Sequence, residues 1–251
     1  MQAPMKIAVA GATGRIGRHV VDVLTERGHD VVPMSRARGV DVVTGEGLAD
    51  ALAGVDIVVD AATGPSPDQA AATEFFTSAA RNLQEEGERA GVARMVVVSI
   101  IGIDRFSSGY NAAKAAHEQA LLAGPLPVRV VRAAQFHEFV EQLVQWGTQG
   151  DVSYLPKMRT QLVAARSVAE ALVDVATDSA APSMSEIAGP REENLVEAAG
   201  LLVARLGDPV RIEERSDPAD PESRLYEAGA LLPGPGARLA GPTFEEWVGA
   251  R

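Results

Sequence analysis

Short apolar runs alternate with helix-length segments through the first half of this chain. Runs such as IVVDAA and MVVVS are continuously apolar, which is typical of strands buried on both faces of a parallel sheet. The alternation predicts a doubly wound α/β fold, in which right-handed crossovers place helices on both sides of the sheet. The predicted strands are residues 6–10, 30–34, 41–44, 56–61, 95–99 and 128–132, in the order 3-2-1-4-5-6.

Three evenly spaced glycines follow the first apolar run. The segment KIAVAGATGRIG places them at Gly11, Gly14 and Gly17, ahead of an amphipathic pattern that predicts a helix ending at Gly28. Small residues let the chain turn sharply and bring backbone N–H groups to a helix N-terminus, where the helix dipole favours an anion. The segment therefore predicts a dinucleotide site at the first strand-to-helix turn, the alternative being a tight turn with no ligand.

The pattern loosens after about residue 150. We therefore interpret residues 1–150 as a Rossmann-type NAD(P)-binding core and residues 151–251 as a small C-terminal α/β substrate lobe, packed on the same single domain. The segment TFEEWVG near the end of the chain predicts a short closing helix. Other elements predicted in the lobe are strands at 152–155 and 210–213 and helices at 167–176 and 193–206.

Composition narrows the class of protein. The net charge is -11, from 23 Lys and Arg against 34 Asp and Glu, and no segment gathers basic residues, so nucleic-acid binding is not expected. The absence of cysteine excludes thiolate metal sites, and four scattered histidines argue against any metal. No apolar stretch reaches the roughly 18 residues of a membrane helix. We expect a cytoplasmic protein, either a monomer or a homodimer, with a small-molecule substrate.

The end of the second predicted strand carries Ser35 and Arg36 where an NAD-preferring fold places a carboxylate for the ribose 2′-OH. A guanidinium can bind a 2′-phosphate through two hydrogen bonds, and the serine can donate one more. Arg15 and Arg38 are close enough in sequence to add positive charge. The sequence therefore predicts NADP(H) in preference to NAD(H), the alternative being that these arginines are solvated surface charges.

Tyr110 and Lys114 are four residues apart at the start of a predicted helix, so they share one face of it. A neighbouring ammonium stabilises a phenolate and lowers the pKa of the phenol, which suits proton transfer near neutral pH. The same ammonium can hydrogen-bond a nicotinamide ribose. We predict that Tyr110 is a general acid, the alternative being a surface pair on a solvated helix. His117 and Glu118 follow and are predicted to tune or pair with Lys114.

Two further strand tips carry candidate side chains. Ser99 ends the fifth predicted strand, and its hydroxyl either polarises a substrate carbonyl or bonds a backbone group, in competition with hydroxyls on the following loop. Gln135, Phe136 and His137 follow the sixth predicted strand and are predicted to contact nicotinamide or substrate. For His137, a pocket-lining or surface position is commoner than a role as catalytic acid.

With these residues in place, the chain resembles the atypical short-chain dehydrogenase/reductases, specifically the NmrA-like NAD(P)-binding proteins. The resemblance covers nearly the whole chain, through GATGRIG, VVDAATGPSP, VVVSIIGIDR, YNAAK, VRVVRAAQFHEF and RTQLVAARSVAEAL. It implies that Tyr110 and Lys114 occupy the family's catalytic positions, whereas the short gap from Ser99 to Tyr110 departs from the spacing of fully active members. The predicted cofactor-binding residues are Gly11, Thr13, Gly14, Arg15, Ile16, Gly17, Ser35, Arg36, Ala61, Ala62, Thr63 and Lys114.

These residues and the resemblance predict an NADPH-dependent oxidoreductase that reduces a small carbonyl, enone or quinone-like compound. Two alternatives stay open: an NADP(H)-sensing regulatory protein without turnover, and a flavin or quinone reductase that needs a flat apolar pocket and no acid. The Tyr–Lys spacing favours the enzyme over the sensor, because a sensor needs no tuned phenol.

Overall fold

The structure, a computed structural model, describes residues 3–216 and 221–251. The strands in this part of the chain are β1 Lys6–Ala10, β2 Asp30–Met34, β3 Ile57–Asp60, β4 Arg94–Ile100, β5 Val128–Ala133, β6 Thr148–Gln149, β7 Val152–Pro156, β8 Arg159–Thr160, β9 Met184–Ala188, β10 Glu193–Asn194, β11 Arg211–Arg215 and β12 Arg238–Leu239. The α-helices are α1 Gly17–Glu26, α2 Leu48–Leu52, α3 Gln69–Ala90, α4 Gly109–Leu122, α5 His137–Gly147, α6 Ala165–Thr177, α7 Leu195–Leu206, α8 Pro221–Glu227 and α9 Phe244–Gly249.

A seven-stranded sheet with the order β12-β9-β5-β4-β3-β1-β2 organises the fold. Its pairings β1–β2, β1–β3, β3–β4 and β9–β12 are parallel, which confirms the predicted doubly wound α/β class. Ala10 is the register partner of both Met34 and Asp60. The carboxyl ends of β1, β2 and β3 are therefore level, and ligands of such sheets bind at that edge.

The prediction of a strand at residues 41–44 is wrong. The sheet therefore lacks the strand that stands first in the predicted order 3-2-1-4-5-6. The segment is a loop, because the Asp41 carboxylate accepts a hydrogen bond from Val43 N at 2.8 Å and turns the backbone. The Asn82 side chain also donates to the carbonyl of Val43, at 2.7 Å, so this carbonyl is bonded to a side chain instead of a neighbouring strand. Strand β2 lies at the edge of the sheet in consequence, a position that suits its Pro33.

The chain divides into two compact units built from interleaved segments. The first contains the chain up to Ser99, Ser107–Arg132 and Val168–Ser185, and the second contains Ile100–Phe106, Ala133–Ser167 and the chain from Glu186 onward. The predicted boundary near residue 150 is not where they divide. Most of α6 belongs to the first unit, where Arg27 pairs with Asp174 at 2.7 Å and Arg94 donates to Ala176 O at 2.6 Å.

Each unit has its own apolar core. In the first, Leu83 and Leu121 from α3 and α4 pack on the strand residues Val58 and Val97. In the second, Leu155 of β7 packs in one cluster with Leu195 and Leu202 of α7. The elements predicted for the lobe are found as β7, β11, α6 and α7, although most of α6 belongs to the first unit. The predicted closing helix is α9, which begins with a capping box between Thr243 and Glu246. No helix in the described part of the chain combines the length and the apolar character needed to cross a membrane.

Candidate functional site

The glycine loop between β1 and α1 is set by close backbone approaches. Gly11 has φ of +72°, and a Cβ there would lie 2.6 Å from the carbonyl oxygen of Ala61. A Cβ on Gly17 would lie 2.1 Å from the carbonyl oxygen of Gly11. Side chains at these two positions would push the loop off the tip of β3 and push α1 off the loop. The glycines thus bring the start of α1 next to the carboxyl ends of β1 and β3.

The N-terminus of α1 is not capped by a side chain. Its N-cap residue is Ile16, and its first turn contains no acidic residue. By contrast, α7 begins with the carboxamide of Asn194 and has Glu197 in its first turn. No acidic side chain of the first turn therefore offsets the partial positive charge at the start of α1. This end of the helix can accept an anion such as the pyrophosphate of a dinucleotide.

The other predicted residues of this loop differ in exposure. Thr13 is exposed, Arg15 is half-buried with a partner inside the protein, and Ile16 is buried. Ala61 and Ala62 are buried where the chain leaves β3, and Gly14 donates its N–H to Gly11 O at 2.9 Å. This region can surround a phosphate group chiefly with backbone.

The end of β2 presents two arginines to solvent. Ala12 N donates to Met34 O at 3.2 Å, so the glycine loop adjoins this strand end. Arg36 and Arg38 lie in the short 3₁₀ helix Arg36–Arg38 directly after it, and both are exposed. Within the described residues neither guanidinium has a hydrogen-bond or ion-pair partner, and the buried hydroxyl of Ser35 has none either. These groups fit a second phosphate beside the pyrophosphate site.

Tyr110 lies in the first turn of α4, with its phenol oxygen 3.0 Å from Thr63 Oγ1. Thr63 follows β3 by three residues, so the phenol lies at the carboxyl edge of the sheet. Burial raises the pKa of Tyr110, and the hydrogen bond with Thr63 only partly opposes it. The prediction that Lys114 lowers the pKa of this phenol is wrong, because the ammonium makes its contacts elsewhere.

The Lys114 side chain is buried, with 5% of its surface exposed. Its ammonium donates to Val98 O at 3.0 Å, lies 3.0 Å from Nδ1 of His117, and stands 4.6 Å from the centre of the Phe76 ring. Burial lowers the pKa of Lys114 to about 8, against the opposing negative charges of Asp60 and Glu118. The predicted pairing of His117 with Lys114 is confirmed. One of the three ammonium N–H groups has no hydrogen-bond acceptor among the described residues.

Asp60, the last residue of β3, completes this cluster and was not predicted from the sequence. Its Oδ1 accepts from Ala62 N at 3.0 Å, and its Oδ2 lies 3.0 Å from Nε2 of His117 in a contact that is short but not linear. Burial acts to raise the pKa of Asp60, but the contact with His117, the hydrogen bond from Ala62 N and the charge of Lys114 together outweigh it, so the net shift is downward. A lone Asp closing the apolar run IVVD was the available signal.

Glu118 forms a two-point ion pair with Arg132 of β5 at 2.9 and 3.1 Å. This pair ties α4 to the sheet, and the charge of Glu118 acts on Lys114 through space. Ser99 in β4 is buried, and its hydroxyl has no hydrogen-bond partner in the described part of the chain. The predicted alternative of a backbone bond for Ser99 is therefore not formed.

The three residues predicted after β5 belong to the second unit. Gln135 accepts from Thr160 Oγ1 at 2.8 Å. His137 is fully buried, with Nε2 3.1 Å from Pro242 O, and its ring packs on the aromatic side chains of α9. These contacts favour packing roles for Gln135 and His137. Phe136 is half-buried and stays a predicted substrate contact.

Comparisons with known proteins identify the family of this chain. The sequence model of the NAD(P)H-binding family matches residues 11–179, more than half of the chain. An L-arabinose 1-dehydrogenase (NAD(P)(+)) from Haloferax volcanii is 32% identical over 127 residues, which are 47% of this chain and 48% of that protein. The photosystem II assembly factor Ycf39 from Synechocystis is 30% identical over 111 residues, 39% of this chain and 34% of that protein. The chain thus matches about half and about one third of these relatives.

Among solved structures, the Bordetella bronchiseptica enzyme WbmH in complex with NAD+ matches with a TM-score of 0.69. The match covers 99% of this chain and 97% of that chain at 20% identity. At this identity the likeness establishes the fold.

Proposed function

This chain belongs to the NAD(P)H-binding family, and on that premise we propose that it is an oxidoreductase that uses NADPH to reduce a small carbonyl, enone or quinone-like compound. A run of contacts in the first unit carries the proposal. The glycine loop lies against Ala61, and two residues later Thr63 is hydrogen-bonded to Tyr110. A proton donor therefore stands at the same sheet edge as the nucleotide site.

The residues present fit an NADPH cofactor. The backbone of the glycine loop and the uncapped start of α1 would hold the pyrophosphate. Arg36, with Arg38 beside it, would bind the 2′-phosphate, which supports a preference for NADPH over NADH. The remaining N–H of Lys114 is available to a ribose hydroxyl. The nicotinamide, when bound, supplies a hydride.

Tyr110 provides the proton in this proposal. Because burial raises its pKa, the phenol keeps its proton at neutral pH and can donate it to the oxygen of a carbonyl substrate. The hydroxyl of Thr63, 3.0 Å away, can turn to donate a hydrogen bond to the phenolate as it forms. Thr63, rather than the buried Ser99, is then the second hydroxyl of the site.

A second candidate is a protein that binds NADP(H) and reports its redox state to a partner without turnover. Two observations favour it: Lys114 is engaged by Val98 and His117 and not by Tyr110, and one relative is named as an assembly factor. A third candidate, a flavin or quinone reductase, needs no proton donor and would tolerate the loss of the Tyr110 hydroxyl.

The test follows nicotinamide absorbance while the protein is incubated with NADPH and aromatic ketones, enones, quinones or flavins in turn, and with NADP+ and L-arabinose for the reverse direction. We expect NADPH oxidation with a carbonyl or enone that is lost in Tyr110→Phe. Turnover of quinones or flavins that survives in Tyr110→Phe supports the third candidate. Tight NADPH binding with no turnover on any compound supports the sensor.

A further inference from the structure

Three buried polar side chains of the first unit form a row of short contacts. Lys114 Nζ lies 3.0 Å from His117 Nδ1, and His117 Nε2 lies 3.0 Å from Asp60 Oδ2. The His117 ring also stacks on Phe76, with centres 4.7 Å apart. Burying an ammonium and a carboxylate is expensive unless each is paired, so the row requires an explanation beyond packing.

The two short contacts limit where the protons of the row can be. Asp60 is held as a carboxylate, which only accepts hydrogen bonds, so its 3.0 Å contact with Nε2 of His117 favours a proton on that nitrogen, although the angle of the contact lies outside hydrogen-bond geometry. Nδ1 is then bare and accepts from the Lys114 ammonium, unless the proton has moved from Lys114 to the ring. Burial and the charge of Lys114 lower the pKa of His117, which keeps the proton on the lysine. The row therefore has one charged lysine, one neutral histidine and one carboxylate.

The other elements around Lys114 carry few charges. On α4, Tyr110 is neutral and Glu118 is paired with Arg132 of β5. From β4 the ammonium meets the carbonyl of Val98, and from α3 it meets the uncharged ring of Phe76. Within the row, the carboxylate of Asp60 is thus the negative charge that balances the ammonium of Lys114.

We propose that Asp60 and His117 are positioning residues for Lys114. Asp60 fixes His117 as the Nε2–H form, the bare Nδ1 then accepts from the ammonium, and the lysine stays charged with one N–H left for the cofactor ribose. Only this last step rests on the proposed function, because the contacts of the row are made between protein side chains alone. If Lys114 acted only by sharing a helix face with Tyr110, neither Asp60 nor His117 would be required to hold its ammonium.

Asp60→Asn should exchange the hydrogen-bond donors and acceptors along the row. The carboxamide introduced by this substitution would keep an oxygen for Ala62 N–H but present an N–H to Nε2, which favours the Nδ1–H form of His117. That N–H would then face the N–H groups of Lys114, and the negative charge that raises the pKa of Lys114 would also be gone. We expect the pKa of Lys114 to fall further below 8, by about one unit.

The measurement is an NMR titration of selectively 13C-labelled lysine in the protein without ligand. The chain contains three lysines, Lys6, Lys114 and Lys157, so replacing Lys6 or Lys157 by Arg assigns the signals. The matched control is Asp56→Asn, the same substitution just before the other end of β3, where the Asp56 carboxylate accepts from Lys6 N at 2.8 Å. The control should leave the titration of Lys114 unchanged. An unchanged titration in a folded Asp60→Asn protein overturns the proposal.

A second measurement uses the unaltered protein, in case Asp60→Asn does not fold. Long-range 1H–15N correlation spectra distinguish the two neutral forms of each of the four histidines. We expect His117 in the Nε2–H form at neutral pH, and a Nδ1–H form contradicts the proposal.

NADPH affinity separates this proposal from the proposed function. At pH 8 we expect Asp60→Asn to weaken NADPH binding about fivefold, because a pKa lowered from about 8 to about 7 reduces the charged fraction of Lys114 from about one half to about one tenth, with Asp56→Asn unaffected. If the unaltered protein binds no dinucleotide while the lysine titration shifts as expected, the proposed function fails and the positioning role stands. If NADPH binds and the titration does not shift, the positioning role fails alone.

Discussion

His117 of the first unit and His137 of the second are both buried and both pack on aromatic rings, yet their surroundings differ in kind. His117 has 1% of its surface exposed and lies between Lys114 and Asp60, two ionisable side chains from different elements. His137 has none of its surface exposed and meets one backbone carbonyl, that of Pro242. Burial lowers the pKa of both rings. Burial thus does not distinguish His117, which we propose as a positioning residue, from the packing residue His137, whereas the ionisable partners of His117 do.

Tyr110→Phe should give the largest effect on the first-unit site. Removing the proton donor is expected to lower kcat for a carbonyl substrate by about 10² to 10⁴, with NADPH affinity unchanged. Steady-state kinetics and a binding titration measure the two quantities. Tyr154→Phe in the second unit is the matched control and should retain full activity. Equal activity of the Tyr110 and Tyr154 variants would remove the phenol from the mechanism.

The alkaline side of the pH profile should belong to Lys114. Its pKa of about 8 means that the ammonium loses its charge as pH rises through that value, while Tyr110, with its raised pKa, keeps its proton. We expect kcat/KM to fall about tenfold per pH unit above that point, as for loss of one essential proton. A profile that stays level until the phenol titrates contradicts this assignment.

The ionisation of Lys114 should also change the stability of the protein, which should rise with pH over the range in which kcat/KM falls. The pKa of Lys114 is lowered from 10.5 to about 8 in the folded chain, so between these values the unfolded chain binds more protons. The contribution of Lys114 to the free energy of unfolding therefore rises with pH across that window. Urea unfolding at several pH values tests this against Lys114→Met, in which the rise should be smaller. An identical pH dependence in both proteins counts against a buried, titrating lysine.

His137→Phe should cost stability and leave the first-unit site intact. The substitution keeps an aromatic ring but leaves the carbonyl of Pro242 without its buried donor, at a cost of about 1 to 3 kcal/mol in the free energy of unfolding. Urea denaturation measures the loss, and the NMR titration of Lys114 should not move. A shifted Lys114 pKa in this variant would show that the two histidines are not independent.

The smallest expected effect is on cofactor choice. Arg36→Ala should weaken NADPH binding about tenfold, because one charged hydrogen-bonding group is lost, and should leave NADH binding unchanged. Arg89→Ala, which removes an exposed arginine of α3, is the control. If both cofactors weaken equally in Arg36→Ala, the guanidinium does not recognise the 2′-phosphate.

The sequence predicted the parts of this structure that depend on local spacing. Glycines at fixed intervals after an apolar run require a sharp turn, and the turn at Gly11 and Gly17 is found. The strand at 41–44 was mispredicted because its apolar residues resemble a strand, whereas the side chain of Asp41 turns the backbone. The apolar pattern alone does not show that a side-chain hydrogen bond of Asp41 competes with strand formation.

The site was harder to predict, because its decisive contacts join distant parts of the chain. The spacing of Tyr110 and Lys114 placed both on one helix face, but Val98 and His117 decide where the ammonium is held. Asp60 was missed because a single carboxylate at the end of an apolar strand has no spacing signature. Its place in the cluster follows from the 3.0 Å contact between Asp60 at the end of β3 and His117 on α4, which no local pattern contains.

Calorimetric titration of the unaltered protein with NADPH and NADH tests the central claim most directly, since every catalytic and cofactor-binding role proposed above requires a dinucleotide on the glycine loop. We expect one site per chain with tighter binding of NADPH, and its loss in Gly17→Val, where a side chain would collide with the backbone of Gly11. No binding heat from either nucleotide, with the protein folded, would contradict the account.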